Sequence, residues 1–224
     1  GLIEVARLES DLRSRRARLT AEGLEELKEL DRLGDQFAEG TLDTLSEAER
    51  ARLVEAMSEV EKLLNLSFTR ISVEDPDSLE AKWCLEQYFA ELGERFEGGF
   101  NAGRSIPGDS RDLRPPRGTF LLARLDGRPV GCGALKSVEP GVGSIKRMWV
   151  SPEMRGCGVG RRLLLALEKE AADRGMALLR LETNRSLHEA QSLYRRNGYR
   201  EVAAFNDDPY ADHWFEKSNS PSEP

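Results

Sequence analysis

The stretch Lys146 to Gly160, KRMWVSPEMRGCGVG, decides how the rest of the chain is read. It reads as a strand, a tight turn at Pro152, and a loop whose glycines 156, 158 and 160 open onto a helix. Glycines let a backbone turn sharply and approach a ligand closely. Successive amides can then point into one concavity at a helix start, where the helix dipole favours an anion. Arg155, Arg161 and Arg162 add positive charge. No Gly-Lys-Ser or Gly-Lys-Thr is present, so this is not a Walker loop. The strands before it read as antiparallel and no βαβ unit surrounds it, so a dinucleotide fold is a poor fit. On its own, the loop is either a structural turn or a phosphate site.

Outward from that stretch, Thr119 to Leu125, Pro129 to Val138 and Val142 to Val150 read as strands, with Asp126-Gly127 as a hairpin turn. Phe68 to Val73 is another β-rich segment. A helix follows over Ser78 to Phe96, and its Trp83, Tyr88, Phe89 and Phe96 are expected in the core. Glu97 to Arg117 is a long loop, rich in Gly, Pro and charge, expected to be mobile or functional. Beyond the glycines come a helix over Gly158 to Arg174, a strand over Leu178 to Thr183, a helix over Leu187 to Asn197, and strands over Tyr199 to Phe205 and His213 to Lys217. Antiparallel strands followed by helices predict an α+β fold, a mixed and mostly antiparallel sheet flanked by helices. The polar tail, 218–224, is expected to be disordered.

The first 66 residues read differently. Leu2 to Leu8 and Arg15 to Leu19 suggest a hairpin around a polar turn. From Thr20, Leu24, Leu27, Leu30 and Leu33 recur at helical spacing. Asp43 and Ser46 are N-cap candidates for a second helix, Ser46 forming a capping box with Glu49. Leu53, Met57, Val60, Leu63 and Leu64 supply its apolar stripe. Such leucine stripes predict a helical arm that pairs with a second copy, giving a homodimer. The expected division is therefore 1–66, 67–217 and the tail.

With 224 residues and a net charge of −7, the chain is ordinary for a soluble protein, and binding of nucleic acid over its whole surface is not expected. Leu163 to Leu167 is too short to span a bilayer. No signal peptide is visible, which predicts a cytoplasmic protein. Cys84, Cys132 and Cys157 are far apart and only His188 and His213 are present, so neither a disulfide framework nor a metal site is expected. His188 reads as solvated and His213 as packed. Because the chain starts at Gly1, a fragment, tag-cleaved or processed product is expected.

Two resemblances add to this reading. ARLESDLRSRRARLTAEGLEELKEL resembles the wing and following helix of the MarR family of winged-helix regulators. It implies that the terminal helices dimerise and that Arg13, Arg15, Arg16 and Arg18 can touch phosphates. The groove-reading helix that precedes the wing in that family is absent here, so DNA binding is not expected of this chain. RMWVSPEMRGCGVGRRLLLALE, followed by HEAQSLYRRNGYREV, resembles the cofactor motif and the next helix and strand of the GNAT superfamily of acyl-CoA-dependent N-acetyltransferases. That resemblance spans roughly 67–217. It implies acetyl-CoA, with the backbone of Met148, Trp149 and Val150 along the pantetheine arm. The amides of Arg155, Gly156, Cys157, Gly158, Val159, Gly160 and Arg161 would then hold the pyrophosphate, and Tyr194 would lie near the sulfur as its acid. A strand bulge near Met148 and Trp149 would turn an amide toward the acetyl carbonyl. Leu187 departs from the family, which often has Asn there; Asn184 is a candidate replacement.

A protonated amine must lose a proton before it attacks a thioester. Glu182, on a strand, is the first candidate base, ahead of Glu139 and Glu97. Phe96, Phe100, Arg104, Asn206, Tyr210 and Trp214 are expected to line the acceptor pocket, Arg104 holding a carboxylate of an amino acid or related small amine. The alternatives are an acyl-CoA-sensing MarR-type regulator fragment and a protein N-acetyltransferase.

Overall fold

Asp126 and Gly127 both have positive φ, 50° and 79°. That is the backbone a two-residue hairpin turn needs to match the twist of its strands. Around it β4 (Gly118–Leu125) folds back on β5 (Arg128–Glu139). The computed structural model describes residues 1–8, 11–104 and 110–219, and of residues 6–8 and 11–16 the backbone only. The chain divides into two compact units, Gly1–Glu59 and Val60–Pro224, the division falling within one helix.

In the first unit β1 (Ile3–Leu8) pairs antiparallel with β2 (Asp11–Leu19). Thr20 then caps α1 (Ala21–Leu42) by accepting the Gly23 amide at 3.1 Å. Asp43 does not start the next helix; its amide closes α1 on the Glu39 carbonyl. The start of α2 (Glu47–Phe68) is the Ser46–Glu49 box, with Ser46 N–H donating to Glu49 Oε2 at 2.9 Å. The apolar side chains Leu24, Leu27, Leu30, Leu33, Leu53 and Met57 are exposed. The side chains of Arg13, Arg15 and Arg16 lie outside the described residues, and Arg18 is exposed.

Helix α2 runs through Phe68, which the sequence reading gives to the next strand, and ends where Thr69 N–H and Oγ1 both donate to the Asn65 carbonyl. The strand that follows, β3 (Arg70–Val73), is correspondingly short. Next come α3 (Leu79–Arg95), capped by Ser78, then β4, β5 and β6 (Val142–Val150). They are followed by α4 (Val159–Asp173), β7 (Leu178–Thr183), α5 (His188–Arg196), β8 (Arg200–Val202) and β9 (His213–Ser218). The sheet order is β3-β4-β5-β6-β7-β9-β8, and only β6 and β7 run parallel.

Side chains alternate across this sheet. Phe120 and Leu122 face Ala81, Cys84 and Leu113, whereas Leu121 and Ala123 face the α4 residues Leu163, Leu164 and Leu167. Each fully buried leucine contributes about 2 kcal/mol by leaving water. Two predicted segments differ. Tyr199 to Phe205 is strand only over β8. Ser218 belongs to β9 and Asn219 is buried, its amide donating to the Glu168 and Met176 carbonyls at 3.1 and 3.2 Å; the rest of the tail lies outside the described residues. No helix among the described residues is long and apolar enough to cross a membrane.

Candidate active site

The parallel pairing of β6 with β7 covers only Val142–Ser144 against Leu178–Arg180. Beyond Ser144 the two strands have no register pairing, and a cleft opens between them. Lys146 and Glu182, two residues past the last pair on each strand, are joined by an ion pair rather than by backbone.

On the β5 side, β6 carries a bulge. Cys132 pairs with Trp149 and Ala134 with Lys146, leaving Arg147 and Met148 opposite the single Gly133. Arg147 has φ +55°, uncommon for a residue with a side chain. The extra residue breaks the strand's alternation: Ile145 packs in the α4 core, but Trp149 lies in the α3 core, where a regular strand would put both on one face. The bulge is one residue earlier than the sequence reading had it.

A cavity of about 720 Å³ follows β6 and the glycine loop to α5. Its wall includes Met148, Trp149, Val150, Arg155, Gly156, Gly158, Val159, Gly160, Arg161 and Tyr194. Cys157 is absent from it because its side chain is buried in the core beneath the loop. Gly156 and Gly158 have φ +77° and +89°, and Gly158 is the N-cap of α4. A Cβ on Gly156 would meet nothing within 4 Å, so the loop is open on that side. Helix α3 clasps this cavity. Glu91 accepts from Trp149 Nε1 at 3.0 Å, from Arg155 and from Arg95, while Arg95 reaches α5 through Glu189 and the Ser186 carbonyl.

A second cavity, about 180 Å³, adjoins the first. Tyr88, Leu92, Met148, Leu187, Ala190 and Tyr194 stand in both walls. Of the residues expected to line an acceptor site, Phe96, Phe100, Asn184 and Tyr210 reach this wall, as does Glu182. Arg104 is exposed and does not. Neither do Asn206 and Trp214, which bond to each other, Trp214 Nε1 donating to Asn206 Oδ1 at 2.9 Å. Asn184 is occupied in holding the loop before β9: its Nδ2 donates to the Tyr210 carbonyl at 2.8 Å and its Oδ1 accepts the Ser186 amide. Glu97 is exposed, and Glu139 is an exposed partner of Arg180. Sequence reasoning missed Lys146, Arg147, Asp208, Tyr88 and Phe89, all in this wall. The aromatic rings of Tyr88 and Phe89, expected as plain core, form part of it instead.

The electrostatics are set by burial of individual groups. The Glu182 side chain is only 8% exposed; its second oxygen, Oε2, is buried with no hydrogen-bond partner among the described residues. Burial pushes the Lys146 ammonium down to about 8, with Lys136 and Arg147 adding to the effect and Asp208 opposing it. Burial also lowers Arg147. It raises the Tyr194 phenol well above the usual range, so that hydroxyl stays protonated at neutral pH. Tyr88 is raised chiefly for the same reason. The arrangement sets Tyr194 in the wall shared by the two cavities, with the open glycine loop along the larger and the buried Glu182 carboxylate in the smaller.

Residues 79–199 match the acetyltransferase (GNAT) family. IAA acetyltransferase of Azospirillum brasilense is 42% identical over 103 residues, 46% of this chain and 66% of that protein. The uncharacterized N-acetyltransferase YsnE of Bacillus subtilis (strain 168) is 36% identical over 97 residues, 42% of this chain and 64% of its own length. The chain thus spans just under two thirds of these two relatives. A crystal structure from Klebsiella pneumoniae, assigned as an acyl-CoA N-acyltransferase, matches with a TM-score of 0.56 at 33% identity over 67% of this chain and 97% of that one. The PaiA N-acetyltransferase of Thermoplasma acidophilum, solved with coenzyme A, matches in fold at a TM-score of 0.50 and 20% identity, over 66% and 99%.

Proposed function

The chain belongs to the acetyltransferase (GNAT) family, and from that premise we propose that it transfers the acetyl group of acetyl-CoA to the primary amine of a small molecule by direct attack in a ternary complex. The observation that carries this reading is the junction of the cavities: Tyr194 stands in the wall common to both. Acetyl-CoA fits the larger one. The open loop at Gly156 and Gly158, the α4 N-terminus and Arg161 suit a pyrophosphate. The β6 segment Ile145–Val150, unpaired toward β7, suits an extended amide-bearing arm. When bound, acetyl-CoA supplies an activated acetyl group and leaves as a thiol.

The chain's own residues do the rest. Glu182 Oε2, buried and unpartnered, accepts a hydrogen bond and then a proton from the acceptor ammonium. The bulge at Arg147 and Met148 reorients the β6 backbone beside the acyl site. Tyr194 gives its proton to the leaving sulfur. The small volume of the second cavity and its aromatic wall favour a small molecule over a protein amine. The name of the Azospirillum relative points the same way.

Thiol release over a panel of small amines tests the reading, and no release with any amine would overturn it. Glu182→Gln should lower kcat on the order of 10²-fold with acetyl-CoA affinity retained; an unchanged kcat removes Glu182 as the base.

The exposed leucine stripes of α1 and α2 support pairing with a second copy, and sedimentation of the chain as a monomer at micromolar concentration would end that proposal. A second reading, an acyl-CoA-sensing MarR-type regulator fragment, is favoured by one observation, the β1–β2 hairpin leading directly into α1. Tight coenzyme A binding without turnover on any amine would select it.

A further inference from the structure

We propose that the acceptor is an aromatic α-amino acid, a step that rests on the acetyl transfer proposed above. Four rings make a continuous wall of the smaller cavity. Phe89 stacks on Phe100 with centroids 5.7 Å apart, Phe96 meets Phe100 edge-on at 5.7 Å, and Tyr210 lies 4.8 Å from Phe100 and 5.7 Å from Phe96. Apolar surface held in this way selects a planar apolar group.

The same cavity is charged, and in balance: Lys146 and Arg147 against Glu182 and Asp208. A simple amine would bring one uncompensated positive charge into a site whose charges already match. A zwitterion brings one of each sign. For its ammonium, Glu182 Oε2 is a buried acceptor with no partner among the described residues. For its carboxylate, the Arg147 guanidinium stands in the cavity wall as a planar positive group of the kind that recognises carboxylates. The bulge carries Arg147 into the cavity wall at φ +55°, a conformation uncommon for a non-glycine residue outside a turn, and strain of this kind clusters at functional sites. Its guanidinium lies 5.9 Å from the Phe89 ring centre, so the carboxylate anchor adjoins the aromatic wall. An α-amino acid with a ring on its β-carbon has this same adjacency of carboxylate, ammonium and ring.

The transfer balances. One ammonium proton passes to Glu182, the C–N bond forms as the C–S bond breaks, and Tyr194 protonates the departing sulfur. The second proton on nitrogen restores the tyrosine. The products are the N-acetyl amino acid and the free thiol.

The test is thiol release by the full chain at saturating acetyl-CoA with L-phenylalanine, with phenethylamine, which lacks the carboxylate, and with L-alanine, which lacks the ring. L-Phenylalanine should exceed both in kcat/KM by roughly tenfold or more. Arg147→Gln should reduce its advantage over phenethylamine to about threefold or less, with Arg147→Lys restoring part of it. Phe100→Leu, in the ring wall, should reduce its advantage over L-alanine. Equal rates for phenethylamine or L-alanine, or preferences unmoved by either substitution, would overturn the inference and leave acetyl transfer to a small amine standing. Absence of release with every amine would instead overturn the reading beneath it.

Discussion

The two cavities that meet at Tyr194 are built on opposite plans. The larger is assembled from one nearly continuous run, Met148 to Arg161, closed by α5 and one side of α3, and the run itself brings backbone features: a strand edge, two left-handed glycines and a helix N-terminus. The smaller gathers side chains from α3, the loop after it, the β6 bulge, the end of β7 and the loop before β9. Backbone recognition serves a donor that never changes. Side-chain recognition can be retuned one residue at a time, so on the proposed function the second cavity would set acceptor choice. Changes in the first should then move cofactor affinity, and changes in the second should move turnover or acceptor choice.

The sharpest way to break that division is at the shared wall. Tyr194→Phe keeps the ring that packs on Tyr199 and Phe215 at 5.9 and 6.0 Å and removes only the hydroxyl. We expect kcat to fall on the order of 10²-fold while the Kd for acetyl-CoA stays within about twofold. A large loss of affinity would mean that Tyr194 belongs to the cofactor side alone; an unchanged kcat would remove it as the acid.

Next in size is Gly158→Val. At φ +89° a β-branched residue is strained by about 1–3 kcal/mol, and the Cβ would lie 3.4 Å from Leu66 Cδ2. The loop must shift, and the Kd for acetyl-CoA should rise about tenfold or more by calorimetry. At saturating acetyl-CoA, kcat should hardly move. A wild-type Kd would show that the glycine loop is a turn and not the anion cradle.

The same contrast explains what the sequence could disclose. The hairpin at Asp126-Gly127, the Ser46–Glu49 box and the glycine loop are local, each fixed by a few neighbouring residues whose backbone demands can be read directly. The acceptor wall is not local. Phe96, Phe100 and Tyr210 are visible as aromatics near loops; a bulge near Met148 and Trp149 is implied by the family resemblance, but no pattern of residue types shows that it lies one residue earlier and brings Arg147 into the cavity wall. Asn206 and Trp214 had the right composition for a pocket and satisfy each other instead. Cys157 sits in the loop whose backbone matters while its thiol fills the core.

A smaller effect should appear in the pH dependence of kcat at saturating acceptor. Lys146 faces Glu182 from β7, Lys136 from β5, its neighbour Arg147 and Asp208 from the loop before β9. Burial brings its pKa from 10.5 to about 8. Below that pH it is charged and holds Glu182 Oε1; above it that ion pair is lost and the carboxylate is released to take the acceptor's proton. We expect kcat to rise about tenfold as pH increases through about 8. Tyr194, raised by burial, adds no falling limb in that range. The stability sign agrees with this direction. From about 8 to 10.5 the folded state binds fewer protons than the unfolded chain at this group, so stability also rises with pH there. Lys146→Met should flatten the activity limb, and a wild-type kcat flat from about pH 6 to 9 would remove Lys146 from the site.

The smallest expected effect tests the comparison from outside. Arg104 has the chemistry to hold a carboxylate, and its sequence neighbourhood suggested that role, but it is exposed and absent from the cavity wall. An exposed guanidinium in water contributes about 1 kcal/mol or less to an ion pair. Arg104→Ala should therefore leave both acceptor KM and kcat within about twofold, where Arg147→Gln should not. If Arg104→Ala raised acceptor KM tenfold at constant kcat, the loop after α3 would have to close over the acceptor. Specificity would then belong to a moving segment and not to the bulge and the ring wall.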